Sequence, residues 1–163
     1  VRERLPLPRK PLLRLRAAEG AAALAASKAQ YQVIVRDAFT DSEVPAHLQT
    51  VEWCNLVAQH LRPGGIYLAN VAHGGQVSGR ADVAAAAEAF DGVLLIGASK
   101  VLKSARWGNI VAVGWNGPPP FDATELDRQL RRLPLPVSAL ADSQVQRWLG
   151  GIKPALAETP PPA

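Results

Sequence analysis

No methionine occurs in these 163 residues, and the chain opens on Val1. A translated chain begins with Met, so the sequence reads as a GTG start rendered literally or as a fragment of something longer. Cysteine is almost as scarce. Cys54 stands alone, which excludes an intrachain disulfide and any multi-cysteine metal site, and a reducing cytoplasm is the natural setting. Aromatic residues make up only 6%, so a core has to come from aliphatic and alanine side chains. No apolar run reaches the roughly 18 residues that a membrane-crossing helix requires. Walker loops and Gly-x-Ser-x-Gly elbows are both missing. His47, His60 and His73 lack metal-ligand spacing and read as surface or helix-packing residues.

What is present describes an ordinary globular chain, 48% apolar and 20% charged, long enough for one domain with a real core. The net charge of +4 is unevenly spread. Six basic residues and Glu3 give the first sixteen positions +5, which leaves the other 147 at −1 with no basic stripe. That distribution argues against nucleic acid, whose footprint clusters on a folded face. The expected organisation is one domain over 1–150 and a disordered, proline-rich tail over 151–163.

Strand and helix patterns alternate along the chain. A short strand is expected over Leu12–Arg16, turning at Glu19-Gly20, then a helix over Ala21–Ala29. The β-branched run Tyr31–Asp37 reads as a buried central strand with a carboxylate at its end. Thr50 caps a helix that Pro63-Gly64-Gly65 ends. Further strands are expected over 66–71 and 93–96, and a closing antiparallel strand over 109–113. Helices are expected over 80–90, from the Asp122-x-x-Glu125 capping box to Leu133, and from about Ser138 to Leu149. The class is α/β with a mainly parallel sheet.

Open parallel sheets bind ligands beyond the carboxyl ends of their strands. Glu19, Asp37 and Asn70 occupy such ends, and each can equally be a cap or a solvated turn residue. Asp41 and Glu43 make the next loop acidic, although ordinary loop charge accounts for them as well. Gly74-Gly75-x-x-x-Gly79 is too loose a glycine cluster to signal phosphate binding, and Cys54 reads as a small packing residue.

Three stretches together carry a family resemblance: Tyr31-Gln-Val-Ile-Val-Arg-Asp37-Ala-Phe39, Val44-Pro45-Ala-His-Leu48-Gln-Thr50-Val-Glu52, and Leu61-Arg-Pro-Gly-Gly65-Ile-Tyr-Leu-Ala-Asn70. With Gly108-Asn109-Ile-Val and Phe121-Asp-Ala-Thr-Glu-Leu, the chain resembles spermidine synthase-like aminopropyltransferases of the actinobacterial kind, from about Arg2 onward. The resemblance implies a class I methyltransferase-like Rossmann fold without its first strands. It implies decarboxylated S-adenosylmethionine as co-substrate and a small amine such as putrescine as acceptor. Asp37 then matches the catalytic aspartate, and Glu19, with Gly20, matches an acidic position on the nucleoside's adenine side.

Departures accompany the matches. The Gly-rich nucleoside loop, the acidic residue after the second strand and the N-terminal hairpin domain have no counterpart. Asp37-Ala-Phe-Thr-Asp41 replaces the usual Asp-Ser-Ser-Asp-Pro, and Arg36 sets a cation beside the expected cation site. With strand 12–16 in place and two earlier strands missing, the sheet should hold a gap, so that the chain alone is poorly stable or pairs through that edge as a homo-oligomer. A methyltransferase and a non-catalytic, partner-binding domain remain the alternatives.

Overall fold

The computed structural model describes residues 14–40 and 43–157. Its first helix, α1 (Gly20–Ala25), is short and is capped by Glu19. Then follow β1 (Tyr31–Arg36), a 3-10 turn (Ala46–Leu48), α2 (Val51–His60), β2 (Leu61–His73) and α3 (Arg80–Ala89). The second half runs β3 (Gly92–Gly97), α4 (Ser99–Leu102), β4 (Gly108–Trp115), α5 (Ala123–Leu130), β5 (Ser138–Ala141) and α6 (Ser143–Leu149).

The five strands form one sheet in the order β1-β2-β4-β3-β5. Only β1 and β2 run parallel, and the other three pairings are antiparallel. The α/β class holds, whereas the described sheet is mixed rather than mainly parallel. The cause is connectivity: β4 returns after one short helix and inserts between β2 and β3, so it must oppose both. Residues 14–16 carry no strand and Leu15 is 52% exposed; positions 12 and 13 of that expected strand lie outside the described residues. The expected gap therefore does not arise among the described strands, and β1 ends the sheet.

Alanine shapes the layer above the sheet. Val83, Ala84, Ala85 and Ala86 of α3 are all buried, and their small side chains let the helix lie close to the strands. With Trp53 and Val57 of α2, Tyr67 of β2, Leu95 of β3 and Trp148 of α6, they make the main core. The opposite face holds a smaller cluster of Leu94, Val113 and Trp115, covered by Phe121 and Leu126 of the α5 region. That cover stops short of β1, where Val33 is 46% and Val35 61% exposed.

Local differences have local causes. Thr50 caps α2 through Trp53 N–H at 3.2 Å, as expected, but the helix stops at His60 because Leu61 already pairs with Tyr31. Pro63-Gly64-Gly65 forms a bulge inside β2 instead, with Gly64 at φ +72°. Asp122 caps α5 at Thr124 and Glu125, while the Glu125 side chain turns forward to Arg128 and Gln129 and does not close a capping box. The expected helix from Ser138 splits into β5 and α6, because Asp142 takes φ +47° between them. Residues 152–157, expected to be disordered, run across the starts of α2 and α3. Ala155 accepts from Val51 N–H at 2.9 Å, and Ala157 N–H donates to Glu52 at 2.8 Å. Among the described residues no helix is long and apolar enough to cross a membrane.

Candidate functional site

Adjacent residues on a strand face opposite ways, and β1 ends on two of them with opposite fates. Arg36 turns into the helix layer and is 3% exposed, while Asp37 turns to the other face and to solvent. The cation expected to sit beside Asp37 is therefore directed away from it.

A buried guanidinium has to be matched. Arg36 forms a two-pronged pair with Asp82 in the first turn of α3, Nη1 to Oδ1 at 2.9 Å and Nη2 to Oδ2 at 2.6 Å. Nη1 also donates to the Leu48 carbonyl at 2.6 Å, and Nη2 to the Asn70 carbonyl at 3.1 Å. Burial raises the Asp82 carboxyl above its ordinary value even though Arg36 pulls it down. Burial alone would lower the Arg36 guanidinium, but its bonds to Asp82 outweigh that and raise it. No spacing in the sequence signals this pair, whose members lie 46 residues apart.

Because β1 and β2 are parallel with Arg36 beside Ala69, the next residues along, Asp37 and Asn70, share a sheet face at the carboxyl ends. Asn70 Nδ2 donates to Asp37 Oδ1 at 2.9 Å. Asn70 Oδ1 is shielded from water and has no partner among the described residues. Between the loops after β1 and β2, on the Arg36–Asp82 side, lies a cavity of about 190 Å³ lined by Glu43, Gln49, Val71, Ser78 and Asp82, and neither Asp37 nor Asn70 lines it. Asp41 lies outside the described residues.

Glu19 sits in a separate cluster. Its two oxygens accept Ala21 N–H at 2.9 Å and Ala22 N–H at 2.7 Å, and Oε1 also takes His47 Nε2–H at 3.1 Å. The two backbone bonds, with His47 third, lower its carboxyl from 4.5 to about 2. Gly20 is exposed, and nothing lies within 4 Å of where a β-carbon would stand. Among the described residues no hydrogen bond or ion pair joins Glu19 to Asp37.

Other polar groups are structural. His73 Nδ1 accepts Gly79 N–H at 3.2 Å, which leaves the proton on Nε2, directed to Ser104 Oγ at 2.8 Å. A histidine in that tautomer cannot take the serine's proton, so the pair is no nucleophile and base. Burial first, then the Arg80 charge, lowers the His73 value. Burial, with Asp82 adding to it, pushes the Cys54 thiol up to about 12, so it carries little thiolate at neutral pH. Among the described residues no group of three or more His, Cys, Asp and Glu could hold a metal ion.

The arrangement at the ends of β1 and β2 can therefore hold a donor-rich cation and remove a proton from it: a carboxylate and an amide oxygen without a partner among the described residues, with Arg36 bound to Asp82 instead. A probable spermidine synthase from Corynebacterium glutamicum has this fold, with a TM-score of 0.85 and 26% identity over 99% of the present chain and 60% of its own. A probable polyamine aminopropyl transferase of Bifidobacterium longum is 40% identical over 53 residues, which are 32% of this chain and 12% of that protein. No family model matches the sequence. The chain thus spans less than two thirds of either relative.

Two outcomes follow from these contacts. Asp82→Ala leaves a buried unpaired guanidinium and should lower stability by about 3–5 kcal/mol in urea unfolding, while the paired replacement Arg36→Met with Asp82→Leu should recover most of the loss. Glu19 has a depressed folded value, so its contribution is complete above its ordinary 4.5 and fades as pH falls toward 2. Across that window the wild type should lose more stability than Glu19→Gln, as read from urea midpoints at successive pH values.

Proposed function

We propose that this spermidine synthase-like chain carries the amine-acceptor side of an aminopropyl transfer. The observation that carries the reading is the Asp37–Asn70 pair at the carboxyl ends of two parallel strands. An ammonium has no lone pair and cannot attack until it loses a proton. Asp37 holds the cation and takes that proton. The freed nitrogen attacks the carbon beside the sulfonium of decarboxylated S-adenosylmethionine. A C–N bond forms, the C–S bond breaks with its electron pair left on sulfur, and methylthioadenosine departs.

Glu19 and the backbone at Gly20 are proposed to meet the nucleoside. Glu19 is exposed, and a carboxylate offers about four lone-pair sites, so it has capacity for one more N–H beyond its present three. The acceptor is a small amine, with putrescine as the family precedent. A lone, buried and unreactive Cys54 suits a reducing cytoplasm, where we place the reaction.

Incubation with an amine and either nucleoside tests the chemistry. Methylthioadenosine from the decarboxylated nucleoside supports the reading, whereas S-adenosylhomocysteine from S-adenosylmethionine would make the protein a methyltransferase. Asp37→Asn should lower the rate by about 10²–10⁴-fold while circular dichroism stays native.

One observation favours a second reading, a partner-binding domain or homo-oligomer: among the described strands β1 is an unpaired edge, with Val33 and Val35 exposed beside it. Light scattering after size exclusion should give a multiple of the monomer mass that Val35→Lys reduces. A monodisperse wild-type monomer would remove the oligomer.

A further inference from the structure

We infer that a groove beside β5 binds an anion carrying two or more phosphate groups, gripped by Lys103, Arg131 and Arg147. β5 is the sheet edge opposite β1, roughly 19 Å from it at the usual strand spacing, so this site is separate from the Asp37–Asn70 pair.

Three elements supply one cation each. Lys103 ends α4, Arg131 ends α5 and Arg147 stands on the last turn of α6, and all three line a groove of about 560 Å³. Among the described residues no carboxylate lines it. A helix C-terminus favours a cation, which accounts for one on each helix but not for three opening onto one hollow. The gathering also runs against the chain's balance, since the residues after position 16 sum to −1. Like charges around one hollow repel each other, and a polyanion relieves that repulsion.

Hydrogen bonds around the groove use up acceptors and leave donors. Arg131 Nε donates to Asp127 Oδ2 at 2.7 Å, and Arg147 Nε to the Ser143 carbonyl at 3.3 Å. Each bond directs its guanidinium and leaves both Nη groups without a partner among the described residues. Gln144 Oε1 accepts Ala141 N–H at 3.2 Å, so its amide NH₂ remains for a ligand. The Leu102 carbonyl is taken by Trp148 Nε1–H at 2.7 Å. Asp127 and Asp142 line an adjoining hollow that shares Arg131 and Arg147, and the second Asp127 oxygen already holds Ala139 N–H at 2.8 Å.

Two planar forks and an ammonium therefore face one space. A single carboxylate can meet one fork, whereas linked phosphates offer oxygens to all three groups in the geometry a guanidinium matches. An added β-strand is not the occupant, because the Ala139 and Ala141 amides at this edge are already taken.

The test titrates the intact chain with inorganic tripolyphosphate, and separately with orthophosphate, at about 0.15 M salt, read by amide NMR shifts. Tripolyphosphate should bind about tenfold more tightly, with its shifts gathered at the ends of α4, α5 and α6. Arg147→Gln and Lys103→Gln should each weaken it about tenfold. Lys28→Gln, which removes an equal and exposed charge elsewhere, should leave it unchanged. Equal binding of the two anions, or an equal loss in Lys28→Gln, overturns the inference, since net charge alone then explains the attraction. Phosphatidylcholine vesicles doped with phosphatidylinositol bisphosphate identify the source. Sedimentation with them that tripolyphosphate reverses supports the site with a lipid headgroup as ligand. Tripolyphosphate binding without sedimentation supports it with a soluble phosphate.

Discussion

Arg36 and Asp82 meet almost out of contact with water, 3% and 4% exposed, and four chain segments depend on their meeting. The guanidinium joins the end of β1 to the first turn of α3, and its remaining hydrogens fix the Leu48 carbonyl of the 3-10 turn and the Asn70 carbonyl of β2. An aliphatic side chain could fill the same space, but it would impose no direction. A planar fork of donors admits few arrangements, so the loops after β1 and β2 are set relative to one another. Those loops bound the cavity on the helix side of the sheet, while the Asp37–Asn70 pair stands at the ends of the same two strands on the other face.

The alternation of a strand gives this buried pair its functional consequence. With Arg36 committed to the helix layer, Asp37 has to face the other way, and the parallel register brings Asn70 to the same side. Ile66 and Leu68 share Asn70's face of β2, where they pack against the smaller cluster, and Val33 and Val35 share Asp37's face of β1. The polar pair therefore closes one end of an apolar strip that is covered near α5 and bare near β1. A carboxylate bordered by apolar surface interacts more strongly with a cation than one surrounded by water.

Much of this could be read from the residues. A carboxylate following Val33-Ile34-Val35 marks a strand end, Thr50 marks a helix start, and the run after Gly108 follows β3 too soon for a long crossover helix, so it had to be antiparallel. What stayed hidden is long-range or rests on a single dihedral. Nothing near Arg36 points to Asp82. The Ser138–Leu149 run has apolar residues at helical intervals, and only the positive φ of Asp142 divides it into strand and helix. Pro63-Gly64-Gly65 contains the usual helix terminators, yet the chain used them for a bulge because Leu61 had already found Tyr31. The proline-rich end showed composition but not the backbone groups of Val51 and Ala81 that bind it.

The two edges of the sheet are treated differently. At β5, the amides of Ala139 and Ala141 are taken by the side chains of Asp127 and Gln144, so a short strand of four residues presents little to another chain. At β1 no such device operates among the described residues: six residues, β-branched in the middle, lie open along the edge and bare on one face. The same strand delivers Asp37. Any strand added to β1 would lie directly beside the proposed acceptor site, and any helix accompanying it would cover Val33 and Val35 up to the Asp37–Asn70 pair. Association at this edge and chemistry at this carboxylate therefore cannot be independent. A partner here would exclude water from the site and complete its wall, and a ligand held there would bury part of the partner's surface.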